Sequence, residues 1–178
     1  EGYRIIVALL GSTNLLLDQN LHRLERAFEL GSRTDYLWVP MKNPVGANKG
    51  KELGDWLVKG RVVLVPLLKH AGRIEAAAKV LAAAEARRFP VLVVDDEADQ
   101  ASLNTQIRSG TQSSTYEAIA KLRAAAPNHL YVQYTATPYA PLLLEPDDRL
   151  RPDFVELLEP GSGYTGGREF FVDNADVV

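Results

Sequence analysis

Short apolar runs alternate along this chain with stretches whose apolar positions recur every three or four residues, and these two periodicities predict alternating strands and helices. Strands are expected over residues 4–10, 36–39, 61–68, from 91 to the acids that begin at 95, and over 130–134. Leu17, Leu21, Leu24 and Phe28 recur at helical spacing and Gly31 can stop the helix, so residues 14–30 read as a core-facing helix. Residues 51–58 place Leu53 and Leu57 on one helical face. Residues 71–88 are alanine-rich, carry a Glu75/Lys79 pair, and end with Arg87, Arg88 and then Pro90, all helix signals. Ser114-Thr115-Tyr116-Glu117 reads as a capping box for a helix that reaches Ala126 and stops at Pro127.

Strands separated by helices require crossovers, so the expected fold is α/β with a mainly parallel sheet covered on both faces. One lobe over residues 1–140 is expected, with residues 141–178 as an irregular, Pro/Gly-rich extension of the same domain. Residues 101–113 read as a polar, irregular loop after the acids.

At 178 residues and 46% hydrophobic, the chain can bury one sizeable core. Zero cysteines exclude disulfides and thiolate metal sites, which suits a cytoplasmic bacterial protein. No apolar stretch approaches a membrane span and no signal peptide precedes Arg4, so neither secretion nor a membrane partner is expected. His22, His70 and His129 form no metal-ligand spacing. A net charge of -3 and a pI near 5.7 argue against a general polyanion-binding surface, leaving only a local basic stripe for nucleic acid. Lys69 and Arg73, after the third strand, are the candidates; Arg23 and Arg26 on the first helix are weaker ones.

The chemistry concentrates at VLVVDDEADQ over 91–100, where an apolar strand ends in Asp95, Asp96, Glu97 and Asp99. Open parallel sheets bind ligands at the C-terminal ends of their strands. Nucleotide hydrolysis there needs one carboxylate to hold Mg2+ and another to orient or deprotonate water, roles that suit Asp96 and Glu97. Four acids can equally well solvate a strand-to-loop corner. Leu130 to Tyr134 ends in Thr135-Ala136-Thr137-Pro138, whose hydroxyls can reach Asp99, although threonines before a proline are also ordinary turn chemistry. Gly11-Ser12-Thr13-Asn14 follows the first strand and precedes a helix, so it can receive a nucleic-acid phosphate or simply cap the helix.

Asp96-Glu97-Ala98-Asp99 resembles motif II (Walker B) of superfamily 2 helicases and translocases, and Thr135-Ala136-Thr137 resembles their motif III. More narrowly, DDEADQASLNT over 95–105, YTATPYA over 134–140 and YTGGREFF over 164–171 are similar to the Z1 domain, a family of bacterial ATPases linked to restriction and phage defence and often described as endonucleases. The resemblance implies a RecA-like three-layer α/β/α sandwich, part of a P-loop NTPase lobe. It also implies ATP and Mg2+ as ligands, DNA as the track, and a nuclease or methyltransferase partner. By position it gives Asp96 the Mg2+, Glu97 the attacking water, Asp99, Thr135 and Thr137 the coupling role, and Gly11, Ser12, Thr13 and Asn14 the place of motif Ia.

The sequence departs from that pattern in one serious respect: no G-x-x-x-x-G-K-[ST] occurs. Gly46-Ala47-Asn48-Lys49-Gly50-Lys51-Glu52 has too short a glycine spacing and places Glu52 where a Mg2+-binding hydroxyl belongs, so it reads as a solvated lysine loop. The chain opens at Glu1 without a Met and reaches Val178 before any segment like a second lobe. The expectation is a fragment of a larger motor that alone binds ATP weakly and hydrolyses it negligibly. A metal-dependent endonuclease component and a non-catalytic scaffold for DNA or protein are the alternatives; the Glu-X-Lys and Asp-X-Lys tripeptides of the commonest restriction nuclease fold are both missing.

Overall fold

A computed structural model describes residues 2–30, 38–101, 113–137, 139–159, 161, 166 and 172. Its strands are β1 (Ile5–Leu9), β2 (Trp38–Pro40), β3 (Val62–Leu67), β4 (Val91–Asp96) and β5 (His129–Tyr134), hydrogen-bonded in the order β2-β3-β1-β4-β5. Every neighbouring pair is parallel. The helices are α1 (Asn14–Ala27), α2 (Ala47–Val58), α3 (Ala71–Ala83), α4 (Ala98–Ala101), α5 (Ser114–Ala125) and α6 (Tyr139–Leu142). The architecture is the expected α/β fold, consistent with a RecA-like α/β/α sandwich. Among the described residues no helix is long and apolar enough to cross a membrane.

Side chains alternate between the faces of a strand, and registered partners in a parallel pair share a face. Ile5, Val63 and Val91 therefore lie on one side with Val7, Val65 and Val93, and all six are in the main core cluster. Leu53 and Leu57 of α2, Ile74 and Leu81 of α3, and Ile119 and Leu122 of α5 cover that side. Ala8 and Leu10 point the other way, onto Leu17 of α1. The cover on this second side is uneven, because Leu130 and Tyr134 of β5 remain 41% and 51% exposed.

Several elements differ from the periodicity reading. The lysine loop expected over 46–52 is instead the start of α2, which begins at Ala47 rather than at residue 51. Lys49 and Glu52 pair at 2.6 Å one turn apart, and a Cβ on Gly50 would come within 2.6 Å of the Ala83 Cβ. The glycine that looked like a loop signal is thus a point of close approach between α2 and α3.

The helix expected over 71–88 ends at Ala83; Glu85 adopts a left-handed conformation and a single 3-10 turn spans Ala86–Arg88. Glu75 pairs with Lys121 of α5 at 2.6 Å, tying two helices together, while Lys79, its expected partner, acts on it only as a nearby charge. The α5 cap is Ser113, one residue before the expected box, with its hydroxyl accepting from the Tyr116 amide at 3.1 Å. That shift leaves Glu117 free to bind Arg149. α1 stops at Ala27, and Phe28 is part-exposed and stacked on Trp38, with ring centroids 5.2 Å apart, instead of facing the core. Residues 31–37, 102–112, 162–165 and 167–171 lie outside the described residues, and with them Gly31, the first half of the 36–39 strand, most of the loop after the acids, and most of the YTGGREFF motif.

Past α6 the described chain is irregular, as expected, yet it is anchored. Leu150 is fully buried within the main core cluster, its amide held by Asp148 Oδ1 at 2.8 Å, and the same oxygen accepts from the Tyr116 hydroxyl at 3.1 Å. Leu157, seven residues on, is 84% exposed. Leu150→Ala is expected to destabilise the fold by about 2–5 kcal/mol in urea unfolding, and Leu157→Ala by under about 0.5 kcal/mol. Equal effects from the two variants would contradict the anchoring of this segment.

Candidate functional site at the end of β4

The end of β4 splits its acids by strand parity. Asp95 falls on the helix-covered side with Val91 and Val93, and is wholly buried. Asp96 falls on the more open side, registered with Tyr134. Two adjacent carboxylates therefore meet different solvents, and only the outward one is placed to meet a ligand.

Asp95 is buried because Lys69 is buried with it. Lys69 follows β3, its amide bonds the Gly11 carbonyl at 2.9 Å, and it is 5% exposed. From there its ammonium reaches the end of β4, 2.7 Å from Asp95 Oδ1, bonding the Asp96 carbonyl and, at 3.0 Å, the Glu97 carbonyl. The directed N–H bonds go to the two carbonyls, so Asp95 Oδ1 receives charge at close range without a well-aligned hydrogen bond. The Tyr131 hydroxyl of β5 donates to the other oxygen, Oδ2, at 2.5 Å. Burial, and then the Asp95 carboxylate, push the Tyr131 hydroxyl well above its ordinary pKa, so it stays a proton donor to Asp95.

This geometry removes Lys69 from the nucleic-acid stripe expected of it. A buried ammonium held by a carboxylate and two carbonyls has no free donor face for a phosphate. Arg73, in the first turn of α3, is exposed.

Beyond Asp96 the chain turns sharply. Glu97 is exposed with φ of 51°, and Asp99 sits in the short α4. Thr135 and Thr137, just past β5, both donate to Asp99, the first to Oδ1 at 2.6 Å and the second to Oδ2 at 2.5 Å. The Thr137 amide donates to Thr135 Oγ1 at 3.0 Å, locking the two hydroxyls into one unit. These contacts match the hydroxyl-to-acid geometry anticipated for the two motifs.

Asp96 itself is contacted by Asn20 of α1, whose Nδ2 lies 3.4 Å from Oδ2. Asn20 carried no signal in the sequence; strand parity, which turns Asp96 toward α1, would have pointed to it. The Gly11 to Asn14 turn leads into α1: Gly11 is buried with φ of 65°, and Thr13 caps the helix by accepting from the Leu16 amide at 3.3 Å. Ser12 and Asn14 are exposed.

The residues can be tested against the ligands the motifs imply. Mg2+ commonly binds one or two carboxylates and keeps several waters, so the outward Asp96 beside exposed Glu97 fits such an ion. Among the described residues no group of three or more His, Asp or Glu side chains is placed to hold a metal ion. A triphosphate does not fit in the same way, since the sequence contains no phosphate-cradling glycine loop. No protein-family model, curated protein or solved structure matches this chain.

The hydroxyls of Thr135 first, and Thr137 second, hold the Asp99 carboxyl below its ordinary value of 3.8. A depressed folded-state pKa adds stability that is present above the ordinary value and lost as pH falls through the lower folded one. Thr135→Val with Thr137→Val is expected to raise the Asp99 pKa toward 3.8, read by carboxyl NMR titration, and to lessen the acid loss of stability. An unchanged Asp99 titration would show that the hydroxyls do not hold the carboxylate.

Proposed function

We propose that this chain is the motif II and motif III half of a superfamily-2-like ATPase lobe of the Z1-domain type, acting on DNA in a bacterial restriction or defence setting. The observation that carries the reading is the pairing of Asp99 with Thr135 and Thr137 beside outward-facing Asp96 and Glu97. Acids that merely solvated a strand end would not need two hydroxyls from just past the next strand fixed on the fourth acid.

Asp96, turned to the open side and contacted by Asn20, holds the cation, directly or through water. When bound, Mg2+ neutralises charge on the phosphates. Glu97, exposed at the turn, orients the attacking water and accepts its proton. Asp99 and the threonines join the end of β4 to the end of β5, so a shift of the acids reaches the neighbouring strand through hydrogen bonds.

A complete ATP site needs a phosphate cradle, which the proposal assigns to protein outside these 178 residues. β5 is the sheet's edge among the described residues, and its part-exposed Leu130 and Tyr134 suit further protein packed over that face.

The test is ATP turnover by the protein together with that phosphate-binding segment. Glu97→Gln is expected to lower turnover by about 10²–10⁴-fold while ATP still binds, the range for loss of a general base. Undiminished hydrolysis in Glu97→Gln would defeat the assignment.

A further inference from the structure

We infer that Lys69 is a positioning residue: its buried ammonium clamps the Asp96 and Glu97 carbonyls and so holds Glu97 in a left-handed turn that aims its side chain out of the sheet. The inference deepens the ATPase reading and rests on it for its chemical consequence, though not for its conformational one.

Three observations converge on it. Lys69 comes from the end of β3, two strands from β4 in the sheet, and its ammonium contacts three consecutive residues, Asp95, Asp96 and Glu97. A lysine withdrawn from water to this degree requires a charged partner, and Asp95, itself 0% exposed, supplies it. The partner is fixed in turn by Tyr131 from the opposite neighbouring strand, so the clamp is anchored from both sides. Glu97 meanwhile adopts a backbone conformation that residues with a Cβ rarely choose, with φ of 51°. The Lys69 bond to its carbonyl is the contact that opposes relaxation toward the ordinary region.

An acid that follows a strand normally continues the extended chain, with its side chain leaving on the opposite side from its predecessor. Here the left-handed turn breaks that alternation immediately after Asp96. Asp96 still follows the strand, whereas Glu97 leaves the sheet at an angle set by the clamp. For an acid proposed to orient water, that direction matters, because a misplaced catalytic group forfeits much of the rate.

Lys69→Met alone would strand the Asp95 carboxylate without its counter-ion and risk unfolding, so the informative variant is Lys69→Met with Asp95→Asn. It removes both charges and keeps an acceptor for the Tyr131 hydroxyl. The φ-sensitive three-bond coupling of the Glu97 amide, read by NMR on the whole chain, is expected to leave the left-handed range while signals of the core strands hold. A Glu97 that stays left-handed in this folded variant overturns the inference.

A second measurement needs no change at Lys69. If the clamp holds Glu97 against its preference, Glu97→Gly in the otherwise unchanged chain raises the folding equilibrium constant by about five-fold, read by urea unfolding. If Glu97 moves as expected but Glu97→Gln retains hydrolysis in the assay above, the ATPase reading falls and the clamp stands.

Discussion

A lysine ammonium and an aspartate carboxylate taken out of water together determine how the C-terminal edge of this sheet is built. Withdrawing either charge alone would be costly, and deleting one partner of such a pair costs about 3–5 kcal/mol, because the other is left buried and uncompensated. The chain meets that constraint by drawing on three strands. Lys69 follows β3, Asp95 belongs to β4, and Tyr131 of β5 takes the remaining carboxylate oxygen. The ammonium's other contacts fall on the backbone at the point where the outward acids emerge. A pair that stabilises little in net terms can still fix a local geometry, and here that geometry belongs to the acids proposed to do chemistry.

The two sides of the sheet then take separate tasks. One is sealed by α2, α3 and α5 over a continuous aliphatic core, and it receives Asp95. The other is covered less evenly, with α1 resting on Ala8 and Leu10, and it receives Asp96. A single step along β4 thus moves a carboxylate from the buried side of the sheet to its part-exposed side. The Asp99 bonds to Thr135 and Thr137 link that edge to β5, the strand with the most exposed apolar side chains.

Much of this was legible in the sequence. The alternation of apolar runs with helical periodicities gave the parallel α/β order, and the spacing of the acids and threonines led to the Asp99 contacts. What stayed hidden has physical reasons. Lys69 reads as a surface cation because lysines usually are; only its parity with Leu67, on the same strand face as Asp95, marks it as inward. Asp95 reads as one acid among four, since a run of like residues conceals which member turns inward. Gly46 and Gly50 suggested a loop, whereas Gly50 is small because Ala83 lies against it, a contact no local pattern reveals. Leu150 sits among prolines and acids that suggest an excursion, and a single apolar residue plugged into a distant core leaves no periodic trace.

The central claim is that the open end of β4, at Asp96 and Glu97, is where a divalent cation binds. It is tested most directly by titrating Mn2+, as a paramagnetic substitute for Mg2+, into the isotope-labelled 178-residue chain and mapping the loss of NMR signal. The account predicts broadening centred on Asp96 and Glu97 and reaching Asn20, with an Asp96→Asn variant losing it. Broadening centred instead on the acids of residues 145–159, with Asp96 and Glu97 untouched, would contradict it.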